Sequence, residues 1–134
     1  MKPSVVSETV LHLVDFEFIC YTLSNGLQVF SHTRILNIMM IDYSNQNIHK
    51  QLSALVSFLP FLFIERKIWL SVVFTNNRGD CMRGIAYDDF KTLCTAIVKA
   101  NQQGKLTSKF FLMAMISEQF LLQQEKFQQA TKLI

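Results

Sequence analysis

Three cysteines, three histidines and a few carboxylates are the residues of this 134-residue chain whose types could serve as nucleophiles, metal ligands or acid–base groups. Their spacing assembles none of these. Cys20, Cys81 and Cys94 are odd in number and far apart, with no C-x-x-C and no Cys/His interval of the kind that holds zinc. His12, His32 and His49 are equally scattered, with no H-E-x-x-H pair on one helical face. A Cys or Ser nucleophile needs a convergent His and a third, orienting group. Cys20 instead falls on an expected strand beside Tyr21, and Cys94 on the apolar stripe of an expected helix, so both are read as core. Asp88-Asp89 suits the first turn of a helix, where carboxylates favour the positive dipole end, and Glu65 suits a surface charge. The chain holds four glycines and no glycine-rich phosphate loop. No catalytic activity, cofactor, metal or small-molecule substrate is expected.

Binding chemistry is the alternative. Lys and Arg total 13 against 10 acidic residues, a net charge of +3 that permits a nucleic-acid partner without demanding one. Between the N-terminal arm and the last two helices the cations are Arg34, Lys50, Arg66, Lys67, Arg78 and Arg83. Gathered on one face they would make phosphate contacts, and scattered they would only solvate the surface. Asn76-Asn77-Arg78-Gly79 reads as a wing-like loop offering amides and a guanidinium to base edges, or equally as an ordinary hairpin turn. The candidate contact set is therefore Arg34, Lys50, Asn76, Asn77, Arg78 and Arg83.

These residues must be positioned by the elements around them. Residues 1–14 are weakly patterned, a loose arm or a short strand. Phe16 to Leu23 is rich in aromatic and β-branched types and meets Leu27 to Phe30 across Ser24-Asn25-Gly26, which predicts a tight hairpin. Ser31 is placed to cap a helix carrying Ile35, Leu36, Ile38 and Met39 and ending near Asp42. Ile48 to Leu59 repeats the helical spacing until Pro60. Ile68 to Thr75 and Cys81 to Ala86 predict a second strand pair around the turn at Asn76 to Asp80. From Tyr87 the apolar residues Phe90, Leu93, Cys94, Ile97 and Val98 form one helical stripe, closed by Gly104. Thr107 or Ser108 then caps a last helix running to about Lys132.

That last helix is expected to be apolar nearly all round, through Phe110, Phe111, Met113, Ala114, Met115, Ile116, Phe120, Leu121 and Leu122, with residues 123–134 as a polar tail. Such a helix is buried on more than one side. A homodimer through Phe110, Phe111, Met113, Met115, Phe120 and Leu122 is the favoured explanation over a purely internal core. The fold class expected is α+β, with a small antiparallel component of two hairpins packed by about four helices. Residues 1–134 are expected to form one domain with ample core material, since half of the residues are hydrophobic. The apolar, uncharged run Leu52 to Ile64 is 13 residues and contains Pro60, too short to span a membrane. Free thiols, together with Glu8 and Asp15 interrupting the first apolar run, lead to the expectation of a cytoplasmic protein with no membrane partner.

Two segments carry a resemblance. In FICYTLSNGLQVFS the residues Cys20, Tyr21, Leu23, Gly26, Val29 and Ser31, and further on Gly84, Leu93-Cys94, Ala100, Gly104 and Leu106, resemble the phage "P-sixty-three C-terminal" domain family over roughly Phe16 to Leu122. That family's usual Gly-Tyr is Gly84-Ile85 here, and its acidic, Thr-Gly-containing ending has no counterpart in KFQQATKLI. The resemblance implies a phage or prophage regulator of antirepressor type, non-catalytic, whose partner is DNA or a host or phage regulatory protein complex. The alternative is a phage-encoded inhibitor of a host defence complex, acting by protein contact.

Overall fold

The run Phe16–Leu23 alternates large residues to two sides of an extended chain, and both sides find a core. The structure, a computed structural model, describes residues 2–39, 53–59 and 72–132. Its framework is a five-stranded sheet of β1 (Val5–Leu13), β2 (Phe16–Leu23), β3 (Gln28–Ser31), β4 (Val72–Thr75) and β5 (Cys81–Ala86), in the order β1-β2-β3-β5-β4. Every neighbouring pair is antiparallel. Three helices accompany it, α1 (His32–Ile38), α2 (Tyr87–Gln102) and α3 (Phe111–Lys132), with 3-10 turns at Ser53–Phe58 and Ser108–Phe110. The α+β class is as expected. The described helices number three, and the described part of the helix expected over Ile48 to Leu59 is a 3-10 turn whose Leu55 is fully buried.

Of the two readings of residues 1–14, the strand is the one the structure adopts, nine residues long. Val5–Leu13 pairs with β2 from Leu13↔Phe16 back to Val5↔Leu23, with an irregularity between Val5 and Ser7. Its middle, Val6 to Val10, is exposed, so no apolar alternation marked it in the sequence. The joining turn is Val14-Asp15, where Val14 adopts φ +56°. A β-branched residue is unfavourable there, at a cost of about 1–3 kcal/mol. Its N–H is held by Gln119 Oε1 of α3 at 2.6 Å. The β2–β3 turn is wider than a two-residue Asn-Gly turn. Leu23 N–H bonds to Leu27 O at 2.9 Å, Gly26 takes φ +85°, and Asn25 Oδ1 accepts from Leu27 N–H.

One face of the sheet packs on the helices. Leu13, Phe18, Cys20, Phe30 and Ile85 meet Phe90, Leu93, Cys94, Ile97 and Ala100 of α2, and Met113, Ala114, Ile116 and Phe120 of α3. Phe30 is the hub. Its ring centroid lies 4.7 Å from Phe90, 5.7 Å from Tyr87 and 6.2 Å from Phe120, and Phe90 and Phe120 meet edge-to-face at 4.8 Å. The opposite face buries a second cluster of Val5, Tyr21, Leu23, Val29 and Phe74, with Tyr21 and Phe74 at 5.5 Å. Gly84 permits this approach, since a Cβ there would sit 2.6 Å from the Phe30 carbonyl and 3.0 Å from the Phe74 ring. The sheet curls until its two edges touch. Ser4 bridges Thr75 in parallel, Thr75 N–H donates to Pro3 O at 3.0 Å, and Ser24 N–H donates to Ser4 O at 2.8 Å.

The helix ends follow the sequence in place more than in chemistry. Ser31 and Thr107 occupy the positions before helical turns, but neither side chain makes a capping hydrogen bond. Gly104 (φ +67°) does end α2 as expected, with Lys105 N–H reaching back to Ala100 O at 2.9 Å. Because Phe30 joins β3 to both long helices, Phe30→Ala is expected to lower unfolding free energy by about 3–5 kcal/mol, measured by denaturant titration. A loss below ~1 kcal/mol would mean that the aromatic cluster does not hold the sheet to the helices.

Candidate functional site

The expected contact residues do not all meet. Lys50 lies outside the described residues, as do Arg66 and Lys67. Arg34, on α1, is exposed at a groove of about 690 Å³ shared with Phe16, Phe18, Ile38 and Leu112. Arg83, on β5, is exposed at a smaller depression of about 360 Å³ beside Ser31 and Cys81. Thr33 borders both, so these two arginines flank one short stretch of α1. Glu17 borders the larger groove too, so its lining carries both signs of charge.

The β4–β5 turn carries the other three. Asn76 holds the turn together. Its Oδ1 accepts from the N–H groups of Arg78 and Asp80, both at 2.9 Å, and its Nδ2 donates to Asp80 Oδ2 at 3.2 Å. Both ends of the amide are thereby occupied in shaping the turn. Asn77 and Arg78 stand exposed at its tip, with the Asp80 carboxylate exposed nearby. The basic side chains thus form no single unopposed cationic face among the described residues.

The last helix separates more sharply. Phe110, Met113 and Phe120, three of the six residues assigned to a dimer interface, lie at 1%, 0% and 1% exposure inside the chain's own core. Their burial against Phe30, Phe90 and Ile97 satisfies one side of the helix, which corrects the expectation that a partner was needed there. The other three remain outside. Phe111, Met115 and Leu122 are 51%, 55% and 56% exposed, and at 100° per residue they fall on one line with Glu118, opposite the core face. Leu112 is exposed beside them, and Gln119 breaks the apolar surface. Glu118 and Leu122 also border a groove of about 580 Å³ between α2 and α3, with Val98 and Leu121 in it and Lys91 at its rim. Stripe and groove adjoin at Glu118 and Leu122, so the apolar line carries one carboxylate within it and Lys91 stands at the rim of the groove.

The groups capable of acid–base or nucleophilic work are dispersed. The described residues contain no cluster of three or more His, Cys, Asp or Glu that could hold a metal ion. His12 pairs with Glu17 at 3.9 Å on an open surface. Asp89, in the first turn of α2, has its pKa raised by partial burial and then by the neighbouring Asp88. Burial pushes the Cys94 thiol up to about 12, and the adjacent Ser117 hydroxyl, which has no other polar partner, pulls the other way. Burial also raises Cys20. Cys81 alone of the three is exposed, with Lys2 Nζ 3.3 Å from its sulfur. Because the thiolate is the reactive form, a disulfide reagent should modify Cys81 rapidly in the native protein and reach Cys20 and Cys94 only after denaturation. Rapid native modification of Cys94 would contradict its placement in the core.

Comparison with protein-family models, with curated proteins and with solved structures returned no match to this chain.

Proposed function

We propose that this chain is a non-catalytic regulator of the phage or prophage antirepressor type, and that it acts by gripping a regulatory protein with the outer face of α3. The observation that carries this reading is the line Phe111, Met115 and Leu122, more than half exposed on a helix whose opposite side is already buried. Exposed apolar residues aligned along a rigid element, with the Glu118 carboxylate among them and a groove alongside, are the makings of a protein contact. The motif resemblance over Phe16 to Leu122 supplies the regulatory setting. A homodimer through α3 would have only the exposed half of the expected residues to use, and a second copy is the competing occupant of this stripe. Inhibition of a host defence complex would use the same surface and differs only in the protein bound. The DNA-binding version rests on Arg78 and Asn77 at the turn tip and on Arg34 and Arg83 beside Thr33.

Binding assays on the wild type, Met115→Lys and Arg78→Ala separate these readings. The expected outcome is a stoichiometric complex with one phage or host regulatory protein. Met115→Lys should weaken it about tenfold or more, and Arg78→Ala should leave it intact. Duplex DNA binding at ~50 mM salt that Arg78→Ala abolishes and Met115→Lys spares would overturn the proposal, because electrostatic phosphate contacts are strong in that regime.

A further inference from the structure

We infer that the outer edge of β1 pairs antiparallel with β1 of a second copy, on a two-fold axis at Val10. The inference rests on β1 alone and is independent of what α3 binds. Its first ground is the backbone. Leu13↔Phe16 closes the two-residue turn at Val14-Asp15. Such a turn closes on a pair that exchanges both backbone hydrogen bonds, and the pattern then alternates along the ladder. Leu13, Leu11 and Thr9 therefore direct N–H and C=O toward β2, while His12, Val10 and Glu8 direct theirs outward. Gln123 Nε2 of α3 reaches the His12 carbonyl at 3.2 Å, which agrees with that direction. No described strand pairs with this edge beyond the bridge at Ser4. Val5–Leu13 also contains no Lys and no Pro, the residues that usually protect an exposed edge.

The second ground is charge. Glu8, Val10 and His12 stand on one face of β1, all exposed, across from Tyr21, Ile19 and Glu17 of β2. With the axis at Val10, Val10 meets the partner's Val10, Glu8 meets the partner's His12, and His12 meets the partner's Glu8. The two opposite pairs are made together. Ile19, 38% exposed, lies directly beside Val10 (49%) and widens the apolar centre to four side chains. Other registers lose this match. An axis at Glu8 sets two carboxylates face to face, and an axis at Thr9 sets Glu8 against the partner's Val10. Cross-strand opposite charges favour a register and like charges disfavour it. Imidazole donates to a carboxylate in its neutral form as well as its charged one. As the second strand arrives, the His12 carbonyl exchanges the Gln123 amide for the N–H of the partner's Glu8.

Light scattering of the full chain tests this. Wild type should run at twice the 15.5 kDa chain mass. Glu8→Lys should give monomers, since it sets Lys against the partner's His12, and Glu8→Lys combined with His12→Glu should restore the dimer. Val10→Pro removes an outward N–H that the monomer does not use, so it should remain folded by circular dichroism and be monomeric. A monomeric wild type overturns the proposal. So does a dimer that survives Val10→Pro, or one that Met115→Lys abolishes while Val10→Pro spares it, which would put the two-fold axis on α3. Failure of the double charge exchange to restore dimers overturns the Val10 register.

Discussion

The packing of Phe30 between two helices is the constraint on which the rest of this molecule depends. One ring from a four-residue strand touches Phe90 and Tyr87 of α2 and Phe120 of α3, so three elements are fixed by one side chain. Tyr87 adds a polar latch by accepting a hydrogen bond from Gln124 Nε2 further along α3. Once Phe120 is turned inward, helical geometry decides the remainder of that helix. Met113, Ile116 and Ser117 follow it into the core, while Phe111, Met115 and Leu122 are carried to the far side. The exposed apolar line is therefore a consequence of core packing, held on a rigid element.

The sheet has two buried faces because it is bent. Tyr21, Leu23, Val29 and Phe74 would be a solvent-facing row on a flat sheet, but curling brings them together with Val5. Pro3 and Ser4 fasten the curl by linking the start of β1 to the end of β4. The fastening closes only one end of β1. Beyond it, the strand runs out as a hairpin with β2 whose outer edge is left for another strand. The irregularity between Val5 and Ser7 marks the transition between those two regimes.

Much of this architecture was legible in the sequence where one residue type had one use. The stripe at Phe90, Leu93, Cys94 and Ile97 and the stop at Gly104 read directly, because helical periodicity and a left-handed cap are local properties. β1 stayed open between strand and loose arm, because its middle, Val6 to Val10, is exposed and shows no apolar alternation, and because its turn is built from Val14 against local preference. Ser31 and Thr107 were legible as boundaries but not as caps, since a hydroxyl in the right place need not bond. Asn76 stays open in the sequence between recognition and turn, because an amide that shapes a turn and one that reads a base are the same residue there, and its hydrogen bonds to Arg78 and Asp80 show the turn role. The last helix looked apolar all round, and only the position of Phe30 and Phe90 shows which half of it is already satisfied. No spacing rule announced the Glu8, Val10 and His12 row, since its match is with a second copy of itself.

On this view recognition resides in the outer face of α3, and the charged turn at Arg78 is peripheral. The most direct measurement is site-specific photocrosslinking in cells, with a photoreactive benzophenone amino acid placed at position 115 in one sample and at position 78 in another. Contact through α3 predicts one discrete adduct with a different protein from position 115 and none from position 78. Nucleic-acid adducts from position 78, with position 115 silent, would contradict it.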